Sequence, residues 1–264
     1  MGALALKLVL TPALIGLATL AGRRWGQAVG GWLVGLPLTS GPVVFFLALG
    51  HGRSFAAAAA VGCLGGAAAE VGFCLVYRSV APRGWPAALV AASLAYTAAA
   101  AVLRLLPLGA GLPVPLLPLA AAVLAALAAG LALLGTGRAR DAEASIPSRW
   151  DVPGRMVAGT AVVVALTAAA PFLGPRLAGL LATYPLLTAV LTVAAQRLDG
   201  PASATEVLRG LLLGLHAFAA FFVVLAVLLE RIGTGPAFAA AIAAALAIQA
   251  LSLRFARASR GSRV

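Results

Sequence analysis

Acidic residues are scarce in this chain, which has seven Asp and Glu against nineteen Lys and Arg over 264 positions, with charged residues only 10% of the total. A soluble domain carries roughly 25% charged residues, so an ordinary globular fold in water is excluded. Histidine and cysteine are limited to two each, too few to converge with acids on a metal site, and neither a metal nor a cofactor is expected. Cys63 and Cys74 lie in one apolar run, about three helical turns apart, which rules out a disulfide within that helix and leaves them as small core residues. Sequences that cradle nucleotide phosphates, bind zinc through His-Glu-x-x-His or raise a serine nucleophile are missing. ATP-driven transport and common hydrolytic chemistry therefore have no support, and the chain is not expected to be an enzyme. The +12 net charge sits in short loops between apolar runs, and no basic domain stands clear of them, so nucleic acid is not an expected partner.

What the chain has in abundance is hydrocarbon: 62% hydrophobic residues and a mean hydropathy of +1.06. Nine runs reach the length needed to cross a bilayer, at about 3–20, 27–49, 56–77, 86–106, 113–134, 156–172, 177–196, 208–229 and 236–255. With the N-terminus outside, fourteen of the nineteen Lys and Arg fall on the cytoplasmic side and five (Lys7, Arg53, Arg104, Arg176, Arg231) on the other, as the positive-inside rule requires. Arg23 and Arg24 follow the first run rather than precede it, so that run reads as a retained span, not a cleaved signal. The expected fold is an all-α polytopic membrane bundle in a bacterial inner membrane, C-terminus cytoplasmic. Its parts are a first repeat over 1–107, a connector helix over 108–135, a cytoplasmic linker over 136–155 and a second repeat with a basic tail over 156–264.

The repeat rests on a constant, ungapped offset of 148 positions. It pairs Gly26 with Gly174, Gly31 with Gly179, Pro37 with Pro185, Gly52 with Gly200, Gly62 with Gly210, Gly66 with Gly214 and Phe73 with Phe221. Five spans separate equivalent helices, an odd number, so the halves insert with opposite orientation. Inverted repeats with broken helices near mid-membrane are the plan of many secondary transporters.

In the second half, Ala178-Gly179-Leu180, then Thr183-Tyr184-Pro185-Leu186-Leu187-Thr188, then Leu208-Arg209-Gly210 resembles the GlpM family of small bacterial inner-membrane proteins. The resemblance covers 156–255 directly and 3–106 through the repeat, and implies an inner-membrane helical bundle without assigning residue roles. The first half departs from it, with Gly35-Leu36-Pro37 where the aromatic-Pro pair stands.

Candidate site residues fall at the two breaks and on two titratable positions. Pro37 and Pro42 break the second run and free carbonyls there, which Thr39 and Ser40 can satisfy; at the second break stand Thr183, Tyr184, Pro185 and Thr188. Glu70 is the one acid well inside an apolar run, on a Gly62-Gly66-Glu70 stripe expected to pack against another helix, and an acid in the hydrocarbon is a functional candidate by default. His216 reaches a similar depth and makes either a relay partner for Glu70 or a histidine satisfied within its helix. These residues point to a secondary transporter or exporter of a small metabolite, with Glu70 coupling protons. A lipid-substrate transporter is a variant, and a non-transporting assembly or accessory protein is the alternative. Expected partners are the bilayer and a small-molecule substrate, with a homo-oligomer allowed.

Overall fold

The computed structural model describes residues 2–38, 40–105, 116–135 and 184–261, together with 153, 156, 157 and 161. Among them every regular element is a helix: α1 (Gly2–Trp25), α2 (Gln27–Val34), α3 (Ser40–His51), α4 (Arg53–Val80), a 3-10 turn at Ala81–Arg83, α5 (Trp85–Leu105), α6 (Leu116–Leu134), α7 (Leu186–Ile232) and α8 (Thr234–Gly261). Five of the described segments are long and apolar enough to cross a membrane: Arg53–Arg83, Trp85–Leu103, Leu116–Leu134, Leu186–Ile232 and Thr234–Leu251. Large apolar side chains on their outer faces stay exposed, such as Leu94 at 65% and Leu117 at 78%. That exposure suits hydrocarbon rather than water as the surrounding medium.

Five such segments stand against nine expected spans: α1, which holds the first run, is not among the five, and the other differences have identifiable reasons. The second run is cut into α2 and α3, and α3 at 12 residues is too short to cross alone. The seventh and eighth runs join in α7, whose 47 residues would reach about 70 Å if straight, over twice the hydrocarbon thickness. Gly200 and Pro201 divide it into two arms, 186–199 and 201–232. The linker and the 156–172 run lie outside the described residues except at the single positions named above.

The turns share one device. Gly26, Gly52, Gly84, Gly200 and Gly233 all adopt φ between 83° and 107° with ψ between 150° and 179°, a region open essentially to glycine alone. One such residue ends a helix and lets the next begin at once, so α1 and α2 run antiparallel, Gly22 beside Gln27 and Gly30 against Ala18.

Among the described glycines the closest approaches are those between α2 and the second arm of α7. A Cβ on Gly31 would collide with the Val207 carbonyl, one on Gly210 with the Ala28 carbonyl, and one on Gly214 with the Trp32 carbonyl and Gly35. Two parallel helices thus meet backbone to backbone, as small residues permit in lipid, where close packing replaces the hydrophobic drive. Gln249 of α8 adds a hydrogen bond from Nε2 to the Trp32 carbonyl, 3.3 Å.

Polar contacts gather the turns into two ends. At one, Gln27 Nε2 donates to Asp199 Oδ2 (3.2 Å) and the Arg197 guanidinium stacks 5.7 Å over Trp85. There too Arg78 donates to the Leu133 carbonyl (2.5 Å), and Arg209 donates to Gly135 and, at 3.5 Å, to Leu131. The two guanidiniums cap the C-terminus of α6, where carbonyls lack helical donors. At the other end Arg53 lies beside Gly233. Arg78, Arg197 and Arg209 thus gather at one end of the bundle. Arg209→Ala is expected to remove about 1.5–3 kcal/mol, the range for a hydrogen bond to a charged group. The loss should be read as faster amide exchange in the last turn of α6 and a lower thermal midpoint in detergent.

Candidate functional site

Two prolines 148 positions apart impose the same backbone geometry. At the first break Leu38 N–H donates to the Leu36 carbonyl (2.8 Å) and Gly41 N–H to the Pro37 carbonyl (2.9 Å). At the second, Leu186 N–H donates to Tyr184 (2.8 Å) and Ala189 N–H to Pro185 (2.9 Å). Pro185 has φ −76° and ψ 61°, the inverse γ-turn conformation. In each case a γ-turn centred on proline interrupts the chain and the next helix starts immediately. The γ-turn itself takes up one carbonyl at each break, a satisfaction that composition alone did not reveal. Pro42 corrects an expectation: it falls in the first turn of α3, where the missing N–H has no helical acceptor, so it helps start a helix rather than break one. Ser40 opens α3 and is half-buried; Thr188, its counterpart, is buried. Thr39 and Thr183 lie outside the described residues.

The surroundings of the two breaks cross over between halves. Gly35 lies against Gly214, and Phe221 stands where a Cβ on Gly41 would meet it at 3.4 Å, so the first break is packed by the second half. Tyr184, at the second break, sets its ring edge-on to Phe73 (6.3 Å) and Tyr96 (5.8 Å) and shares a 2.7 Å hydrogen bond with the Ser93 hydroxyl, so α4 and α5 of the first half pack it. Phe73 and Phe221 are themselves a 148-offset pair. Leu36 and Leu38 beside Pro37, and Leu187 after Pro185, line one groove.

From Tyr184 a polar stripe descends the first arm of α7 every four residues, through Thr188, Thr192 and Gln196, all three buried. It runs alongside the last turns of α4, and at its foot Gln196 Nε2 donates to the Ala81 carbonyl, 2.8 Å. Between the Phe73–Tyr184 contact and that bond, Tyr77 Oη, Thr192 Oγ1 and Gln196 Oε1 are buried without hydrogen-bond partners among the described residues. Glu70 Oε2 is in the same condition, and Tyr77 follows Glu70 by two turns on one helix face. Buried polar groups are normally paired. This seam therefore has hydrogen-bonding capacity to offer a polar ligand, a proton or water.

Glu70 and His216 are not brought together. His216 Nδ1 bonds the Leu212 carbonyl one turn back (2.8 Å), the satisfied-helix arrangement, and makes no ion pair with Glu70. The stripe preceding Glu70 also differs from expectation. Among the described residues nothing stands within 4 Å of a Cβ built at Gly62 or Gly66, whereas their counterparts Gly210 and Gly214 are in backbone contact. Sequence reasoning missed Ser93, Tyr96, Tyr77 and Gln196. Tyr77 carried a signal in its seven-residue spacing from Glu70, and Gln196 in its four-residue steps from Thr188 and Thr192. Among the described residues no three His, Cys, Asp or Glu gather as metal ligands.

A bundle of long apolar helices with lipid-facing hydrocarbon and glycine-mediated contacts defines a membrane-embedded helical protein. Compared with known proteins, the chain matches no family model, no curated protein and no solved structure.

Proposed function

We propose that the chain is a secondary transporter or exporter of a small metabolite, built from two inverted GlpM-like repeats joined by α6 and carrying its substrate between the two proline breaks. In this reading nine crossings place the N-terminus outside and the C-terminus in the cytoplasm of a bacterial inner membrane. The observation that carries it is the shared γ-turn hydrogen bonding at Pro37 and Pro185, each break packed by the opposite half. Two equivalent, non-helical segments at membrane depth, lined by the other repeat, are the architecture in which alternating access operates. Glu70, a carboxyl with a buried oxygen that has no hydrogen-bond partner among the described residues, is the coupling group, since an intramembrane acid persists where protons or ions move.

Proteoliposomes loaded with a pH-reporting dye and challenged with pooled metabolites test this. Substrate-dependent proton movement in the wild type, abolished by Glu70→Gln, is the expected outcome. No flux under any gradient would instead favour the accessory-protein reading, to which the single interior acid also lends weight. The topology has a separate check. In a background with Cys63 and Cys74 replaced, cysteines at Asp141 and Ala258 should both label from the cytoplasmic side, and labelling from opposite sides sinks the inverted arrangement.

A further inference from the structure

A groove of about 350 Å³ runs along α1 and α2 and reaches Leu187 at the start of α7, apart from the polar seam. Its walls are almost wholly hydrocarbon, chiefly Leu14, Leu17, Leu20 and Leu33, and Arg24 and Trp25 stand at one end. From Leu14 to Trp25 α1 advances about 16 Å at 1.5 Å per residue, close to half of a ~30 Å hydrocarbon core. The groove is thus one leaflet deep. Its inner end meets the residues beside both breaks, and its mouth lies at the end of the bundle where the arginines gather. Trp25, 60% exposed, has the interfacial placement that tryptophan favours in membranes.

A slot of leaflet depth, apolar throughout, with a guanidinium and an indole at its mouth matches one lipid molecule in length, polarity and charge. We propose that this groove is a binding site for an anionic glycerophospholipid, one acyl chain lying against Leu14, Leu17 and Leu20 and the phosphate meeting Arg24. A guanidinium binds phosphate through paired N–H donors, and the +12 net charge of the chain favours an anionic headgroup over a zwitterionic one. The site needs only the groove and the membrane, not a transported substrate, so it stands apart from the transport reading.

Native mass spectrometry of the delipidated protein, titrated with phosphatidylglycerol or phosphatidylcholine, tests it. A saturable one-to-one adduct is expected, forming at about fivefold lower phosphatidylglycerol than phosphatidylcholine, the discrimination a single surface cation provides. Arg24→Gln should erase that preference while leaving the adduct. Leu17→Trp should weaken both lipids, because a larger side chain fills the slot. Leu17 is 61% exposed, so this variant is expected to fold, and Leu20→Phe provides a second narrowing substitution. Adducts that never saturate at one, a headgroup preference that survives Arg24→Gln, or lipid affinity unchanged in the folded groove variants would each overturn the assignment.

Discussion

Gly210→Ala is expected to destabilise the bundle by roughly 3 kcal/mol, at the upper end for overpacking a close contact. The reason is geometric: the new methyl would occupy the space of the Ala28 carbonyl, and backbone cannot yield as a side-chain tip can. α2 must withdraw from α7, and the neighbouring Gly31–Val207 and Gly214–Trp32 approaches open with it. Thermal unfolding in detergent measures the effect. Gly62→Ala is the internal control, since among the described residues its methyl meets nothing within 4 Å, and its expected change is below about 0.5 kcal/mol. Equal effects at Gly62 and Gly210 would refute the packing asymmetry between the two repeat-paired glycines.

Tyr184→Ala should be comparably severe, at about 3–5 kcal/mol, the range for deleting a packed aromatic side chain. It removes edge-to-face contacts with Phe73 and Tyr96 as well as the hydrogen bond to Ser93. Tyr184→Phe separates the two contributions. The ring stays and only the hydroxyl contact is lost, an expected change of about 0.5–1.5 kcal/mol. Ser93→Ala removes the same contact and also the bond from Ser93 Oγ to the Leu89 carbonyl (2.7 Å), so it should cost at least as much as Tyr184→Phe, and the double variant should cost no more than Ser93→Ala alone. A Tyr184→Phe loss as large as that of Tyr184→Ala would mean the polar contact, not the ring packing, holds the second break in place.

Both predictions concern contacts whose residues were visible in the sequence but whose partners were not. The 148 offset paired Gly31 with Gly179, Gly210 with Gly62 and Gly214 with Gly66 without indicating that α2 of one half packs on the second arm of α7 in the other. Tyr184 stood out as an aromatic donor beside Pro185, whereas Ser93 was one hydroxyl among many in apolar runs. Glu70 and His216 drew attention as titratable groups at similar depth, and only the helix-internal bond from His216 to Leu212 separates them.

Length and apolar content determined by themselves that this chain lives in a membrane as helices, because hydrocarbon demands continuous internal hydrogen bonding over a fixed thickness. The proline and glycine positions likewise marked where helices break and turn, since those residues act on their own backbone. Tertiary structure alone decided which helices touch, how the γ-turns satisfy the broken segments, and which polar atoms between α4 and α7 are buried without partners among the described residues. In lipid, one apolar surface is as well solvated as another, so hydropathy does not select a partner. Pairing follows from the close fit of small residues against a particular backbone, which exists only once the chain is folded.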